Sequence, residues 1–405
     1  MFKKIALIVL FLGVTAGFAY LLYRFFFGAP AVTPPPIGNE VTVPGGDGLP
    51  TAGEGRPTTP GGVGTDVPGG ITPSANVSQI ASGGLTATKT ISSQQVKGLH
   101  ASGGNVAYYD TREGKFFQVR SDGTVQALSS QSFPEAESIE WAPNANKVLV
   151  TFPDASKVIY DFATQKQVTF PRHWEDIAFT DDGSEIVAKS MSLDPANRWL
   201  VSATTDGKSQ RLLEPLGENG DKVVISVSPD ASVVAFSNTA DPVGFDTRDL
   251  LVIGQNHENF PALRVEGFDF KPQWSPNGSR LLYSAAGGTS DYAPMLWLVN
   301  GSTGTVGAGR QSLGVRTWAD KCVFQGEDTA YCAVPEELPT GAGLERAIAD
   351  TIPDNVLKID FQSGTASLVG RPEDPTSMSS LVVSADGSKL FFTTPDGEVK
   401  EMRLR

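Results

Sequence analysis

The stretch that decides the fold is Trp274-Ser-Pro-Asn-Gly-Ser279, which runs directly into the apolar segment Arg280-Leu-Leu-Tyr283. The same pattern recurs as Val227-Ser-Pro-Asp-Ala-Ser232, followed by Val-Val-Ala-Phe236. Seven units of this kind are each anchored by one apolar residue: Leu99, Trp141, Phe179, Val227, Trp274, Phe324 and Val383. Pro presets φ, Asp and Asn bond the local backbone, and Gly accepts positive φ, so the pattern predicts a tight turn between two strands.

Each unit continues with further short strands after this hairpin. Third strands are predicted at residues 116–119, 158–160, 199–201, 250–253, 296–299 and 356–359, and fourth strands at places such as 124–128 and 210–213. Repeats of roughly 40–50 residues with four antiparallel strands each are typical of a β-propeller. We therefore predict an all-β, seven-bladed β-propeller over residues 85–405.

The seventh unit lacks a fourth strand, because the sequence ends after the apolar segment Val399–Leu404. The segment Leu85–Ile91 precedes the first unit and has the alternating character of a strand. An open ring would leave two unpaired strand edges. We therefore predict that the N-terminal strand pairs with the C-terminal one and closes the last blade.

The N-terminus reads as a membrane anchor over residues 1–27. Ile5–Tyr23 is an uninterrupted apolar stretch that would span roughly 29 Å as a helix, and Lys3 and Lys4 precede it. The positive-inside rule then places the N-terminus in the cytoplasm and the propeller outside it, in a periplasm or at a cell surface. A cleaved signal peptide ending near Ala29-Pro-Ala31 is the alternative.

Residues 28–84 consist mainly of Pro, Gly, Ser and Thr and predict a disordered linker. The net charge of the chain is −13, and no cluster of Lys and Arg is present, so we expect no nucleic-acid partner. The two cysteines, Cys322 and Cys332, face each other if the sixth hairpin is centred on Glu327. This register predicts a disulfide, which an exported location permits.

Motifs for catalysis are missing from the sequence. The three histidines, His100, His173 and His257, fall in different units, and no nucleophile elbow, H-E-x-x-H motif or calcium loop occurs. The acidic residues lie mostly in turns, where they bond the backbone. We expect a non-enzymatic, monomeric propeller with no catalytic residue, cofactor or metal site.

One face of the predicted ring carries the long loops, since the second-to-third strand loops and the blade connectors share a side. These loops are residues 190–197, 238–249, 285–294 and 335–355, and the last contains a predicted short helix with an apolar stripe of Leu344, Ile348 and Ile352. The candidate binding residues on this face are Phe133, His173, Trp174, Phe245, Asp246, Arg248, Asp249, Asp291 and Tyr292. A surface that combines aromatic residues with arginine and acidic residues is suited to contact with a protein or an envelope polymer. The alternative is that the rings pack the loops down.

The Trp-Ser-Pro-Asn-Gly-Ser and Val-Ser-Pro-Asp-Ala-Ser units resemble the PD40, or TolB-like and WD40-like, propeller repeats of bacterial envelope proteins. This resemblance implies a propeller that binds proteins without catalysis, and it names no partner. A propeller enzyme of the lactonase or glycan-lyase type, with its site in the central channel, is the first alternative. A structural surface spacer is the second.

Overall fold

The computed structural model describes residues 15, 17, 18, 20, 77–102 and 104–405. The chain divides into two units, residues 1–69 and 70–405. Thr15, Gly17, Phe18 and Tyr20 of the first unit have helical backbone. The rest of the predicted anchor, and the predicted linker up to residue 76, lie outside the described residues. Within the part of the chain that the structure describes, no helix has the length and apolar character needed to cross a bilayer.

The second unit is a seven-bladed β-propeller, as the repeats predict. Two strands, β1 (Leu85–Thr86) and β2 (Thr88–Ser92), precede the first blade. Blades one to three are β3 (Val96–Ser102), β4 (Asn105–Asp110), β5 (Lys115–Val119) and β6 (Val125–Ala127); β7 (Ser138–Trp141), β8 (Lys147–Thr151), β9 (Lys157–Asp161) and β10 (Lys166–Phe170); and β11 (Trp174–Phe179), β12 (Glu185–Ser190), β13 (Trp199–Thr204) and β14 (Gln210–Pro215).

Blades four to six follow the same order. They are β15 (Val223–Ile225), β16 (Val233–Ser237), β17 (Thr247–Gly254) and β18 (Leu263–Glu266); β19 (Phe268–Trp274), β20 (Arg280–Ala286), β21 (Pro294–Asn300) and β22 (Gln311–Ser312); and β23 (Cys322–Phe324), β24 (Thr329–Pro335), β25 (Asp354–Asp360) and β26 (Thr365–Pro372). Blade seven contains β27 (Ser379–Val383), β28 (Lys389–Thr393) and β29 (Val399–Arg403). Short 3₁₀ helices are Pro195–Asn197, Gly217–Lys222, Gly288–Ser290, Ala319–Lys321 and Arg346–Ile348.

The first strand of each blade lies at the centre of the ring. The first strands β3 and β7, β11 and β15, β23 and β27, and β27 and β3 contact one another across neighbouring blades. The hydrophobic core forms between blades: Leu149 and Ile159 of blade two pack with Ile177 and Ile186 of blade three. The core is therefore a ring of inter-blade layers around a central channel.

The N-terminal strand closes the ring as predicted. β2 pairs antiparallel with β29, in a register that places Thr88 opposite Met402 and Thr90 opposite Lys400. Blade seven thus gains its fourth strand from the other end of the sequence.

Two residues of the predicted closing strand belong to a different blade, which corrects the prediction. Leu85 and Thr86 form β1, which pairs parallel with β26 of blade six, opposite Arg371 and Pro372. Hydrogen bonds to the propeller begin earlier still, because Ala81 N donates to Arg403 O and Gly83 N donates to Val369 O. The outer strand of blade six has a free edge, and pairing with β1 covers part of it.

Hydrogen bonds among the side chains of the repeated turns explain why Ser, Thr and Asp recur in them. In the turn of blade four, Ser228 Oγ donates to Asp230 Oδ1 over 2.5 Å, and the same oxygen accepts from Ser232 N over 3.1 Å. The turn of blade seven repeats this arrangement around Asp386, and the hydrogen bonds from Ser384 and Ser388 lower the pKa of Asp386 to about 2. These carboxylates form turns, as predicted.

The predicted disulfide is confirmed. Cys322 and Cys332 are directly opposed in β23 and β24, and their sulfur atoms are 2.13 Å apart. Both residues are buried, within the core between blades five and six.

Reduction of this disulfide is expected to lower the free energy of unfolding by about 2–3 kcal/mol, because the closed loop is short. Urea unfolding with and without a thiol reductant measures the effect. A Cys322→Ala/Cys332→Ala variant is the control, since its unfolding midpoint should not respond to the reductant. An equal response in the variant would show that the reductant acts elsewhere.

Candidate functional site

The long loops share one face of the ring, as the topology requires. The strands of a blade alternate in direction, so the loops between second and third strands lie on the same side as the blade connectors. We call this side the long-loop face and the opposite side the short-turn face. Segments 191–198, 238–246, 287–293 and 336–353 belong to the long-loop face. Residues on long loops of a rigid scaffold are the first candidates for function.

Asp246 joins the loops of blades four and five. Its Oδ2 accepts a hydrogen bond from Gly288 N over 2.9 Å and another from the hydroxyl of Tyr292 over 3.4 Å. Loss of hydration, together with the charge of Asp246, raises the pKa of Tyr292 above its ordinary value. Two of the predicted binding residues are therefore neighbours, and their contact holds the two loops together.

The insertion of blade six is attached to the loop of blade five. Gly341 N donates to Asp291 O over 2.9 Å, and Gly343 N donates to Tyr292 O over 2.8 Å. A Cβ on Gly343 would lie 2.4 Å from the Cβ of Ala286, so only glycine allows this close approach. The loops of blades four, five and six thus form one connected surface.

The helix predicted within this insertion is wrong. Only Arg346–Ile348 forms a single 3₁₀ turn, and the preceding Glu345 makes no capping hydrogen bond from its side chain. The backbone bonds of Gly341 and Gly343 hold the start of the segment against blade five, so these two N–H groups are used by the neighbouring loop. Leu344 and Ile348 are consequently exposed, at 56% and 49% of their surface, and do not fold onto the propeller.

Two predicted binding residues, Phe133 and Trp174, lie in the core. Phe133 packs edge-on against Phe116 and Tyr160, and Trp174 packs against Phe170. Both are at most 5% exposed, so their rings support the loops and do not reach solvent. For these two residues the alternative interpretation holds: their rings stabilise the loops.

The remaining predicted residues lie at the surface with different surroundings. His173 is exposed, and Phe245 is exposed over 91% of its surface. Asp249 is already engaged, because Arg264 of the neighbouring strand β18 binds both of its oxygens over 2.8 and 3.0 Å. Asp291 lies 3.8 Å from Arg316 in a weak ion pair. Arg248 stacks on the ring of Phe268, with Cζ 4.3 Å from the ring centroid.

Four exposed aliphatic residues of the long-loop face are not among the candidates predicted from the sequence. Leu193 and Val243 lie in the loops of blades three and four, and Leu344 and Ile348 lie in the insertion of blade six. Leu193 is exposed over 99% of its surface. The sequence does carry a signal for Leu193, because it is an apolar residue between polar and turn-forming neighbours. For Leu344 and Ile348, the helical spacing predicts a buried stripe instead.

Two acidic residues, Glu140 and Asp176, lie on the inner strands that surround the central channel. Glu140 belongs to β7 and Asp176 to β11, which are the inner strands of blades two and three. Asp176 has a φ of 48° where β11 shifts its register against β12, and its Oδ2 lies 2.6 Å from the Nζ of the buried Lys189. The Glu140 side chain is exposed to solvent, although neighbouring protein atoms displace part of its hydration. Burial, and to a smaller extent Asp176, raise the pKa of Glu140 to about 7.

Replacement of Glu140 by Gln is expected to remove a pH dependence of stability. The folded state keeps the Glu140 proton up to about pH 7, whereas the unfolded state releases it near 4.5. The stabilising contribution is complete below pH 4.5 and is lost as the pH rises to 7. After screening by water is allowed for, the variant should be about 1 kcal/mol more stable than wild type at pH 8.

Urea unfolding at pH 4.5 and pH 8 measures this difference. Glu175→Gln, a change at an exposed position on the neighbouring inner strand, is the control and should keep the wild-type pH dependence. An unchanged pH dependence in Glu140→Gln would contradict the assignment.

Groups of metal-binding side chains do not form among the residues that the structure describes: no three or more of His, Cys, Asp and Glu come together. The histidines lie apart. His100 stacks on Trp141 in the region of blades one and two, and His257 pairs with Glu214 over 3.1 Å at the boundary of blades three and four.

Comparison with known proteins supports the fold. No protein-family model matches the chain, and no curated protein shows significant similarity to it. Solved structures do match. An oligogalacturonate lyase in complex with manganese is 12% identical, with a TM-score of 0.53 over 78% of this chain and 93% of the other. The Cps50 (Swd1) β-propeller domain of Myceliophteria thermophila is 11% identical, with a TM-score of 0.53 over 78% of this chain and 98% of the other.

The tricorn protease is similar over 78% of this chain, at 12% identity and a TM-score of 0.50, but this chain spans only 34% of that protein. The similar structures therefore include both enzymes and a propeller domain that is not named as one. At these identities the likeness establishes that the chain has the β-propeller fold, and nothing about its reaction or partner.

Proposed function

We propose that this chain is a membrane-tethered propeller that binds a protein partner on its long-loop face. The observation that carries the proposal is the uneven distribution of exposed apolar side chains. Five of the twelve large hydrophobic residues exposed in the described part of the chain lie in long loops of this face: Leu193, Val243, Phe245, Leu344 and Ile348. Among the described residues, none lies in a turn of the short-turn face. Clustered exposed apolar residues mark interaction surfaces.

The chemistry of these side chains favours a protein over an envelope polymer. Four of the five are aliphatic, and aliphatic side chains gain free energy by burial against other apolar groups. A polysaccharide presents mainly hydroxyl groups, which need polar partners when they are buried. Four of the apolar residues lie on connected loops, because Asp246 and Gly343 join the loops of blades four, five and six.

The tether remains part of the proposal. Residues 5–23 have the length and the flanking lysines of a membrane anchor with the propeller outside the cytoplasm. The resemblance to PD40 and TolB-like repeats of envelope proteins agrees with that location. Extraction of membranes with alkaline carbonate tests the anchor: the full-length chain should stay in the membrane pellet, and its release into the supernatant would contradict an anchor.

A propeller enzyme with its site in the channel is the second candidate. The observation that favours it is the interaction of Glu140 with Asp176, since a carboxyl group with a pKa near 7 suits general acid or base catalysis. The similarity to an oligogalacturonate lyase suggests an acidic oligosaccharide as the first substrate to assay. Cleavage by the wild type that is lost in Glu140→Gln would support this candidate, and a lack of cleavage in both would count against it.

Crosslinking in intact cells tests the binding proposal. The full-length chain is compared with a Phe245→Ser/Leu344→Ser variant, which removes two apolar side chains of the face without touching the core. Val125→Ser, at an exposed residue of β6 outside the long-loop face, is the matched control. We expect the double variant to give at least about tenfold less of one crosslinked product, whereas the control gives the wild-type amount. The reason is that each buried apolar anchor contributes about 1.5–3 kcal/mol to binding. An unchanged product in the double variant would contradict the proposal.

A further inference from the structure

Arg248 stands out among the arginines of the long-loop face. Arg264, Arg316 and Arg346 are each paired with a carboxylate, of Asp249, Asp291 and Asp320 respectively. Among the described residues no such partner occurs for Arg248, and its Nε is buried without a hydrogen-bond acceptor. A buried polar group without a partner destabilises a protein and calls for an explanation.

The guanidinium of Arg248 is held in place. It stacks over the ring of Phe268, with Cζ 4.3 Å from the ring centroid. Stacking of this kind fixes the planar group, whose fork of N–H donors matches a bidentate acceptor. The donor is therefore oriented before any ligand arrives, which lowers the entropic cost of binding.

A small cavity lies next to this arginine, between blade four and the start of β19 in blade five. Its volume is ≈ 130 Å³, and its lining includes the rings of Phe236, Phe268 and Phe270 together with Arg248 and Lys222. Pockets for drug-sized molecules occupy roughly 300–1,000 Å³. The space beside Arg248 therefore suits one side chain or one chain terminus.

The charges around the cavity favour an anion. Asp221 and Asp269 also line it, but Asp269 is already bound by Lys271 over 3.2 Å and by the indole N–H of Trp318 over 3.3 Å. Lys222 donates to an amide oxygen, that of Asn219, and forms no ion pair with a described carboxylate. With Asp269 engaged in this way, the two lining cations, Lys222 and Arg248, stand against one remaining lining carboxylate, that of Asp221.

We infer that this cavity binds a carboxylate of the partner, either an Asp or Glu side chain or a C-terminal carboxylate, with Arg248 as its bidentate ligand. The exposed Phe245, three residues before Arg248, contacts an apolar residue of the same partner segment. The inference rests on the proposed function and specifies the chemistry of the partner at its centre. Arginine in such a position is a common hot spot of protein interfaces.

Arginine-selective NMR with short peptides tests the inference on the full-length chain. The protein carries ¹⁵N-labelled arginine, and the Nε–Hε resonance of Arg248 is assigned by its loss in Arg248→Lys. Four probes separate the two sources of a carboxylate: N-acetyl-Leu-Glu-Leu-amide and its Gln counterpart, and N-acetyl-Leu-Leu with a free or an amidated C-terminus. Arg264→Lys, at a paired arginine of the same blade, is the control.

We expect one carboxylate peptide to shift the Arg248 resonance with saturation, and its neutral counterpart to bind at least about tenfold more weakly. Arg248→Lys should weaken binding of that peptide, whereas Arg264→Lys should leave it unchanged. Equal binding of charged and neutral peptides, or no shift of Arg248 with any probe, would overturn the inference. Such a result leaves the crosslinking at Phe245 and Leu344 as a separate test of the proposed function.

Discussion

Deletion of residues 1–92 is expected to give a chain whose free energy of unfolding is about 4–6 kcal/mol lower than that of a chain lacking only residues 1–76. The longer deletion removes β2, whose ladder with β29 joins the two ends of the ring. It also removes Ile91, which packs against the core between blades seven and one. Several net hydrogen bonds of about 1 kcal/mol each and one partly buried apolar side chain account for this size.

An intermediate deletion of residues 1–87 separates the two N-terminal strands. It removes β1, which pairs with blade six over two residues only, and keeps β2 in blade seven. We expect most of the loss to appear between the deletions that end at residues 87 and 92, along with aggregation through the exposed edge of β29. Equal stability of those two chains in urea unfolding would show that β2 does not close the ring.

Replacement of Lys321 by Ala is expected to lower the free energy of unfolding by about 3–5 kcal/mol, because it leaves a buried carboxylate without its cation. Lys321 Nζ donates to both oxygens of Asp354 over 2.8 and 2.6 Å, and both residues are at most 3% exposed. The same carboxylate accepts from Met378 N over 2.6 Å, so the pair connects blade six to the start of blade seven.

The exposed ion pair of Arg172 and Asp154 provides the matched control. These side chains are 67% and 54% exposed, and exposed pairs contribute about 0–1 kcal/mol. Arg172→Ala should therefore have a small effect in the same urea titration, whereas Lys321→Ala should have a large one. Similar values for the two variants would contradict the strong stabilising role of the pair at Lys321.

The blades could be predicted from the sequence because the information that defines them is local. In the turn of blade four, Ser228, Asp230 and Ser232 bond one another within five residues, and the same spacing recurs around Asp386. The pairing of Cys322 with Cys332 was predictable for the same reason, since both lie in one hairpin. The parallel contact of β1 with β26 joins residues far apart in the sequence, and no local pattern indicates it.

The surface was harder to predict, because exposure depends on how neighbouring blades meet. Phe133 lies in a blade connector and Trp174 at the start of β11, where the topology predicts the long-loop face, yet both rings are buried in the inter-blade core. Leu344 and Ile348 have helical spacing, but Gly341 and Gly343 are attached to blade five and the segment forms short turns and one 3₁₀ turn. Asp246 and Tyr292 come from loops 46 residues apart, and only the fold brings them into contact.

Site-specific photo-crosslinking tests most directly the claim that the long-loop face binds a protein. A photoreactive amino acid is placed at Phe245 or at Leu344 on that face, and at Lys208, an exposed residue in a turn of the short-turn face. We expect one and the same protein to be crosslinked from Phe245 and Leu344 and not from Lys208. A partner crosslinked from Lys208 but from neither of the other two positions would contradict it.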